Sequence, residues 1–342
     1  MQWNSGYRVV CLLLVSVLAG CGGGNNSTQN PPPPAIGQIY VTKINEGSIL
    51  RFRAGDNGDV PPQQRLGAPS AHTGPLCIDV AHDRLAGTSF DGAPIIVLID
   101  DASSTPGQLT SREITGAATT MHDPAVCALD GTADLLYVVD TGNVAGGSSI
   151  LIFGPASTAS GNIPPLHTML LPYLAFGIAV DPASNRIFVS DTTNNVIDIY
   201  DSASTLDGAV TPSRTIGGPL TQLGAVGPIA FESSGHLVVA PPSFANSPAV
   251  RVFSNAGTLN GNMAPSAVFS LSTGIVSQFA VTPAGDLYVV DSDPKIMVFS
   301  NIFSASGTIS PVRVITGPHT DLDSPIFSPP PLVDGVAVDP TR

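Results

Sequence analysis

The sequence predicts an all-β protein made of six similar four-stranded antiparallel sheets, and three observations lead to this expectation. One pattern recurs about every fifty residues along most of the chain. Each copy contains short apolar runs rich in β-branched and aromatic residues, separated by turn residues, as is typical of β-hairpins. The last copy stops after a single strand, and the first copy lacks that strand.

The clearest copy covers residues 176–191, FGIAVDPASNRIFVSD. Its runs GIAV and RIFVS are predicted to be the first and second strands, joined by a turn at residues 181–185. A third run, VIDIY at residues 196–200, and a fourth, SRTIG at residues 213–217, complete one antiparallel sheet.

The second and third strands each recur six times. The second strand recurs at residues 39–41, 85–87, 136–138, 187–189, 237–239 and 287–289. The third recurs at residues 49–52, 96–99, 150–153, 197–200, 250–253 and 296–299. So small a sheet cannot bury its own faces, and a four-strand repeat of this length is typical of a β-propeller. We therefore expect six propeller blades.

The two ends of the repeat region predict how the ring closes. Residues 335–340, GVAVDP, match a first strand without a hairpin partner, whereas the repeats open at a second strand near residue 39. Pairing the two would close the circle and leave no exposed strand edge. On this basis we expect the chain to contain the whole ring.

Composition suits a fold with many turns and argues against nucleic acid as a partner. The 342 residues include 35 Gly and 32 Pro, which suits many turns, and only 11% are charged. The formal net charge of −13 repels phosphate backbones and favours solubility.

The N-terminus carries a predicted targeting segment, residues 1–21. Arg8 precedes an apolar run at residues 9–17, which is too short to span a bilayer and is placed as in a signal peptide. The following residues Leu18-Ala19-Gly20-Cys21 resemble the lipobox of bacterial lipoproteins. The resemblance implies cleavage before Cys21, lipidation of that residue and anchoring in the outer membrane, on its periplasmic or surface side.

An ordinary secretory signal, with Cys21 unmodified, is the alternative. Residues 22–37, GGGNNSTQNPPPPAIG, have no apolar pattern and are predicted to be a tether that joins the anchor to a propeller at residues 38–342.

Two further cysteines, Cys77 and Cys127, fall in the first strands of adjacent blades. Their registers differ by one residue, so their side chains should point to opposite faces of their strands. They either face each other across one interface or both face away. A disulfide is compatible with export, but the residues alone favour two small buried thiols.

Acidic residues recur at the same places in successive blades, which favours the capping of turns over catalysis. They follow the first strand at Asp79, Asp130, Asp181, Glu232 and Asp339, and the second strand at Asp140, Asp191 and Asp291.

Three histidines are candidate metal ligands. His72, His122 and His319 all lie in connections from an outer strand to the next first strand, around the predicted channel mouth. Three imidazoles could hold zinc, although their distances from the strands are unequal, and exposed histidines commonly have no specific role. We expect no cofactor, with a divalent zinc or calcium ion as the alternative.

The connection at residues 319–334, HTDLDSPIFSPPPLVD, is the longest and departs from the repeat. Asp321, Asp323 and Phe327 are its candidate ligand-binding residues, since long loops on repeat scaffolds often carry function. The alternative is a proline-rich spacer that delivers the last strand.

The blade pattern, GIAVD, then IYV-x-D, then I-x-V-F, is similar to NHL repeats and to the YVTN-type surface propellers over residues 38–342. The resemblance implies either a protein-binding module or a metal-dependent lyase or lactonase. The acidic metal set of the lactonases does not carry over, because the chain has only three glutamates and Glu232 is predicted on the opposite face.

Two functions follow as hypotheses. The first is a monomeric binding scaffold for a protein, a glycan or an envelope component. The second is a metal-dependent lyase or hydrolase at the channel mouth that uses His72, His122, His319, Asp321 and Asp323.

Overall fold

Six small β-sheets succeed one another along the chain, each with four antiparallel strands, and two of the sheets have a fifth, parallel strand at the edge. The structure is a computed structural model that describes residues 37–43, 48–67, 73–89, 93–104, 110–144, 147–242, 249–272, 278–290, 294–322 and 335–342. Residues 35–342 belong to one compact unit.

Strands are numbered in chain order, and each blade is given from its innermost to its outermost strand. Blade 1 contains β26 (Val336–Asp339), β1 (Gln38–Lys43), β2 (Ser48–Arg53) and β3 (Gln64–Gly67). Blade 2 contains β4 (Thr73–Asp79), β5 (Arg84–Ser89), β6 (Ile95–Asp100) and β7 (Thr110–Thr115). Blade 3 contains β8 (Pro124–Asp130), β9 (Leu135–Val144), β10 (Gly147–Phe153) and β11 (His167–Leu171).

The second half of the ring repeats this order. Blade 4 contains β12 (Ala175–Asp181), β13 (Arg186–Asp191), β14 (Val196–Asp201) and β16 (Arg214–Ile216). Blade 5 contains β17 (Ile229–Phe231), β18 (Leu237–Val239), β19 (Ala249–Phe253) and β20 (Ala267–Leu271). Blade 6 contains β21 (Gln278–Val281), β22 (Leu287–Val290), β23 (Lys295–Phe299) and β25 (Arg313–Thr316).

The described helical segments are single turns of 3₁₀ helix. They are Ala117–Thr119, Pro182–Ser184, Ala203–Thr205, Pro219–Thr221, Ala256–Thr258 and Ile302–Ser304. In the part of the chain that the structure describes, no helix is both long enough and apolar enough to cross a membrane.

The innermost strands form a closed circle, which confirms the six-bladed β-propeller. Each contacts the innermost strand of the next blade, in the order β4, β8, β12, β17, β21, β26 and back to β4. The predicted closure is also confirmed, because β26 pairs antiparallel with β1, with Ile39 opposite Val338 and Val41 opposite Val336.

Neighbouring blades bury each other's faces, which explains why the strands read as nearly continuous apolar runs. In β10 the residues from Ile150 to Phe153 are fully buried. Ile150 and Ile152 pack on blade 4, whereas Leu151 and Phe153 pack on blade 2. Each such side chain contributes about 1.5–3 kcal/mol of burial free energy, so the ring is held by its interblade packing.

Recurring aspartates cap the hairpin turns, as predicted. The Oδ1 atom of Asp130 accepts hydrogen bonds from the N–H groups of Thr132 and Ala133, both at 2.9 Å. Asp79 and Asp191 cap their turns in the same way. These carboxylates satisfy backbone donors that the turns leave without a strand partner.

The capping role predicted for Asp181 is wrong. Its carboxylate accepts a hydrogen bond from Nη1 of Arg186 at 3.3 Å, and no side-chain bond caps the turn that follows. The carboxylate instead forms an ion pair with Arg186 of the same hairpin. Glu232 does cap its turn, with Oε2 accepting from the Ser234 N–H at 2.7 Å.

Most of the outer strands are covered by the following blade, a feature that the sequence did not predict. In these blades, the segment between the third and fourth strands runs alongside the outer strand of the preceding blade. Two such segments are strands parallel to it, β15 (Gly208–Ala209) on β11 and β24 (Ser306–Ile309) on β20. Three others make single parallel bridges at Gly58, Gly161 and Gly261. The bridges occupy edges that would otherwise pair with other chains.

Arginines in the outer strands also join neighbouring blades. Arg112 of β7 holds Asp100 within its own blade and donates from Nη1 to the carbonyl of Ala159 in blade 3 at 2.6 Å. Arg214 of β16 holds Asp201 at 2.8 Å in blade 4 and donates to the carbonyl of Gly257 in blade 5. Arg112 and Arg214 therefore connect the outer strands of blades 2 and 4 to the blades that follow them.

Candidate functional site

The candidate site lies at one end of the ring, which we call the loop face. It carries the loops between second and third strands and the connections from each outer strand to the next first strand. Because neighbouring strands run antiparallel, both kinds of segment emerge at the same end. Irregular segments on a rigid scaffold are where binding residues concentrate.

One turn structure is repeated on the loop face after blades 2, 4 and 6, and we call it the alternate-blade turn. It comprises residues 116–121, 218–223 and 317–322. In the first copy, Oγ1 of Thr119 donates to the carbonyl of Gly116 at 2.7 Å and accepts from the N–H of Met121 at 3.3 Å. The other copies reproduce both bonds.

A polar side chain from the next blade caps each copy. Asn162 accepts from the N–H of Ala118 at 2.7 Å, and Asn262 accepts from the N–H of Leu220 at 2.7 Å. Gly116 must be glycine, because its φ is 112° and an added Cβ would lie 2.6 Å from Oδ1 of Asn162. The turn is therefore built from two blades, and its frame repeats about every hundred residues rather than every fifty.

The side chains that this constant frame presents are different in each copy. The residue whose N–H is capped is Ala118, Leu220 or His319 in the three copies. Two residues later the backbone has a positive φ, and the residue there is Thr120, Gln222 or Asp321. Leu220 is 59% exposed. The fold thus keeps the backbone of these turns and varies the surface.

The side chain of His319 bonds to Asp59 of blade 1, whereas that of His122 bonds to the backbone of the turn before it. Nδ1 of His319 lies 2.6 Å from Oδ2 of Asp59, and this hydrogen bond lowers the pKa of that carboxyl. Nδ1 of His122 lies 2.9 Å from the carbonyl of Thr120. The buried Asp140 caps the same connection by accepting from the His122 N–H at 3.1 Å.

The structure does not assemble the predicted metal site from the residues it describes. No group of three or more His, Cys, Asp or Glu side chains that could hold a metal ion occurs within the described ranges. His72 and Asp323 lie outside those ranges, so their participation stays a prediction.

Asp321 joins blade 6 to blade 1. Its carboxylate pairs with Nζ of Lys43 at 2.8 Å and with the guanidinium of Arg65. Burial acts to raise the pKa of Asp321, but the bonds from the two cations outweigh it and the net shift is downward. The other candidates near this connection, Phe327 and Asp323, and the lipidation candidate Cys21 lie outside the described residues.

Cys77 and Cys127 form a disulfide, which corrects the expectation of two separate thiols. Their Cα atoms are 5.7 Å apart, and the bond joins β4 to β8 across the interface between blades 2 and 3. The opposite orientation of the two side chains was predicted correctly. Both point into the shared interface rather than away from it, and the sequence did not determine that choice.

Two charged residues at one strand position were missed by the sequence reasoning. In each blade it is the residue of the third strand that pairs with the last of the three second-strand residues given above, such as Val189 in blade 4. It holds Leu50, Val97, Leu151, Asp198, Arg251 and Met297 in blades 1 to 6. Because the equivalent residue is apolar in four blades, the two charged residues could have been recognised from the sequence.

Asp198 is enclosed by hydrogen-bond donors. Oγ1 of Thr215 donates to its Oδ1 at 2.6 Å, and the hydroxyl of Tyr173 acts to lower the pKa of the carboxyl. Tyr173 lies in the connection above and reaches Tyr200 with its hydroxyl at 2.9 Å. Burial raises the pKa of Asp198 above its ordinary range, more than the bonds from Thr215 and Tyr173 lower it.

We expect Asp198→Asn to gain stability over wild type as the pH rises. The folded state holds the Asp198 proton more tightly than the unfolded state, so this group stabilises the fold at low pH and loses that contribution as the pH rises above about 4. The amide cannot ionise. The difference in free energy of unfolding should shift towards the variant between pH 4 and neutrality, measured by urea denaturation.

The matched variant is Tyr173→Phe, which removes one donor that favours the carboxylate. Its stability should fall more steeply with pH than that of wild type, and the extra slope should vanish in the double variant with Asp198→Asn. Parallel pH profiles for wild type and Asp198→Asn would contradict the prediction.

Comparisons with known proteins identify the fold and nothing finer. No model of a protein family matches the chain, and no curated protein matches it. Solved structures do match, 1044 chains in all, so the fold is widespread. A chain in the crystal structure of a nidogen/laminin complex is similar with a TM-score of 0.57 and 13% identity, over 89% of this chain and 98% of that chain. Such a likeness shows a shared propeller fold and assigns no activity.

Proposed function

We propose that this protein is a lipid-anchored propeller outside the cytoplasm that binds a protein partner through its loop face. The observation that carries the binding role is the alternate-blade turn. Its backbone and hydrogen bonds repeat three times, while the residue at one position changes from the half-buried Ala118 to the exposed Leu220 and His319. A rigid frame with variable exposed side chains is the arrangement of a recognition surface.

The similar solved chain supports the choice of a protein as the ligand. That chain belongs to a complex of nidogen and laminin, so a propeller of this shape occurs in an assembly between proteins. We infer the same kind of use here. A glycan or another envelope component is the alternative ligand that the binding experiment distinguishes.

Two observations support the location. The stretch from Leu18 to Cys21 resembles a lipobox, and the Cys77–Cys127 disulfide suits an oxidising compartment. Radiolabelled palmitate should be incorporated into the wild-type chain in a bacterial host and not into Cys21→Ala, which should move from the outer-membrane fraction to the soluble fraction. Equal labelling of both chains would contradict anchoring at this residue.

The binding face can be tested with a photo-reactive amino acid placed at Leu220 or at Val312. The two sites are matched in exposure, 59% and 58%, but Val312 lies at the opposite end of the ring, just before β25. We expect crosslinking to one discrete protein in envelope preparations from position 220 and none from position 312. Crosslinks from position 312 of equal yield, or a glycan as the captured species, would overturn the assignment.

A further inference from the structure

Arg251 occupies an apolar wall between blades 4 and 5. Its neighbours in β19, Val250 and Val252, pack on blade 6, whereas Phe253 packs on blade 4. Because successive side chains of a strand alternate between faces, Arg251 shares the face of Phe253 and points towards blade 4. It pairs across the sheet with Val239 and Val268, and only 9% of it is exposed.

The charge of this guanidinium is not neutralised by any residue that the structure describes. Nη1 donates to the carbonyl of Ala249 at 2.6 Å, and the buried Nε has no hydrogen-bond partner. Burial alone lowers the pKa of Arg251, with no carboxylate acting on it. Arg214, by contrast, is paired with Asp201. A buried cation without a counter-charge is unfavourable. The presence of Arg251 at this position therefore calls for another explanation.

The guanidinium is directed towards the loop face. Ala249 is the first residue of β19, at the loop-face end, so a side chain that bonds its carbonyl bends towards that end. The connection from blade 4 to blade 5, which carries the exposed Leu220, contributes Leu223 and Val226 to the cluster that contains Phe253.

The connection before blade 5 differs from the one before blade 4, where Tyr173 lies four residues before Gly177 and acts to lower the pKa of Asp198. Pro228 is the equivalent of Gly177 in blade 5, and the residue four positions before it is Gly224. A Cβ added at Gly224 would meet no atom within 4 Å. The connection that supplies a phenol acting on Asp198 in blade 4 thus supplies no side chain at the same position of blade 5.

We propose that the loop face between blades 4 and 5 binds an oxyanion of its ligand, a carboxylate or a phosphate, through Arg251. A planar guanidinium matches both groups with two parallel hydrogen bonds, and Nε supplies a donor that is otherwise unused. This inference rests on the proposed binding function of the loop face and names the chemistry that it recognises.

The test uses the mature chain at low ionic strength and two probes, sodium acetate and inorganic phosphate, against sodium chloride at equal ionic strength. The Nε–H NMR signal of Arg251, identified by its loss in Arg251→Met, should shift with one probe or both. The thermal midpoint should rise with the same probe in wild type and not in Arg251→Met. A response to acetate alone indicates a carboxylate ligand, and a response to phosphate alone indicates a phosphate ligand.

Two variants separate binding from structure. Arg251→Met should unfold at the same or a higher temperature than wild type, because an aliphatic chain suits the apolar wall. Arg214→Met should unfold earlier but keep the probe response. An unmoved Nε–H signal with both probes, or an equal response in Arg251→Met, would overturn the proposal. Crosslinking from position 220 does not depend on this result, so the binding function would then stand without it.

Discussion

A chain that ends at Gly335 is expected to lose its cooperative unfolding transition. It lacks β26, and with it the pairing of Ile39 with Val338 and of Val41 with Val336. Val336 and Val338 are 2% and 6% exposed, and burying a valine contributes about 1.5 kcal/mol or more. Their loss, with net hydrogen bonds of about 1 kcal/mol each, approaches the whole stability of a domain, about 5–15 kcal/mol.

The truncated chain also exposes the inner edge of β1, so it should associate. Circular dichroism melts and size-exclusion chromatography measure the two effects. A synthetic peptide of residues 335–342 added in trans should restore the transition, and a chain lacking only Arg342 should retain it. A monomeric truncated chain that melts like wild type would contradict the role of β26 in closing the ring.

The second large effect is expected for Cys77→Ala combined with Cys127→Ala. The disulfide joins residues 50 apart in sequence, and closing a loop of that size stabilises the folded state by about 4 kcal/mol in the chain-entropy model. The double variant should therefore unfold at a clearly lower guanidinium concentration than the oxidised wild type. Alanine is preferred to serine because both positions are buried and a hydroxyl would lack a partner.

Reduction provides the control for the disulfide. Dithiothreitol should lower the unfolding midpoint of wild type towards that of the double variant and leave the double variant unchanged. Thiol titration of the denatured, unreduced domain without residues 1–21 should give no signal from Cys77 or Cys127. Two free thiols in that assay would restore the expectation of separate cysteines.

The sequence was sufficient for the ring because the ring depends on local patterns. Apolar triplets such as Ile187 to Val189 recur at a fixed interval, and strands buried on both faces need little else. The closing strand could be recognised because Val336 to Val338 repeat a first strand without its hairpin. Asp130 and Asp191 could be assigned as turn caps since their partners lie two and three residues away.

What the sequence did not predict depends on contacts between residues that lie far apart in the chain. Asn162 caps a turn 44 residues earlier in the chain, and nothing in its neighbourhood indicates that partner. The direction in which Cys77 and Cys127 face is a property of the whole interface between blades 2 and 3. Asp321 bonds to Lys43 across the closure of the ring, so its role depends on a contact between the two ends.

Arg251 is a different case, because its signal was present in the alignment of the repeats. A charge at a position that is apolar in four blades breaks the symmetry on which the fold prediction relied. The candidate sites predicted from the sequence are histidines and aspartates in loops, whereas these two charges lie within strands. Comparison of the strand positions themselves would have found both Arg251 and Asp198.

The alternate-blade turn places a limit on how rings of this kind can vary in size. Blades 1, 3 and 5 supply the capping side chain, and blades 2, 4 and 6 supply the turn that receives it. Insertion or deletion of a single blade would place two blades that supply a capping side chain, or two blades that supply a turn, next to each other. One capping side chain would then have no turn to cap. A lineage that kept this capping between neighbouring blades would gain or lose blades only in pairs. Its propellers would always have an even number of blades.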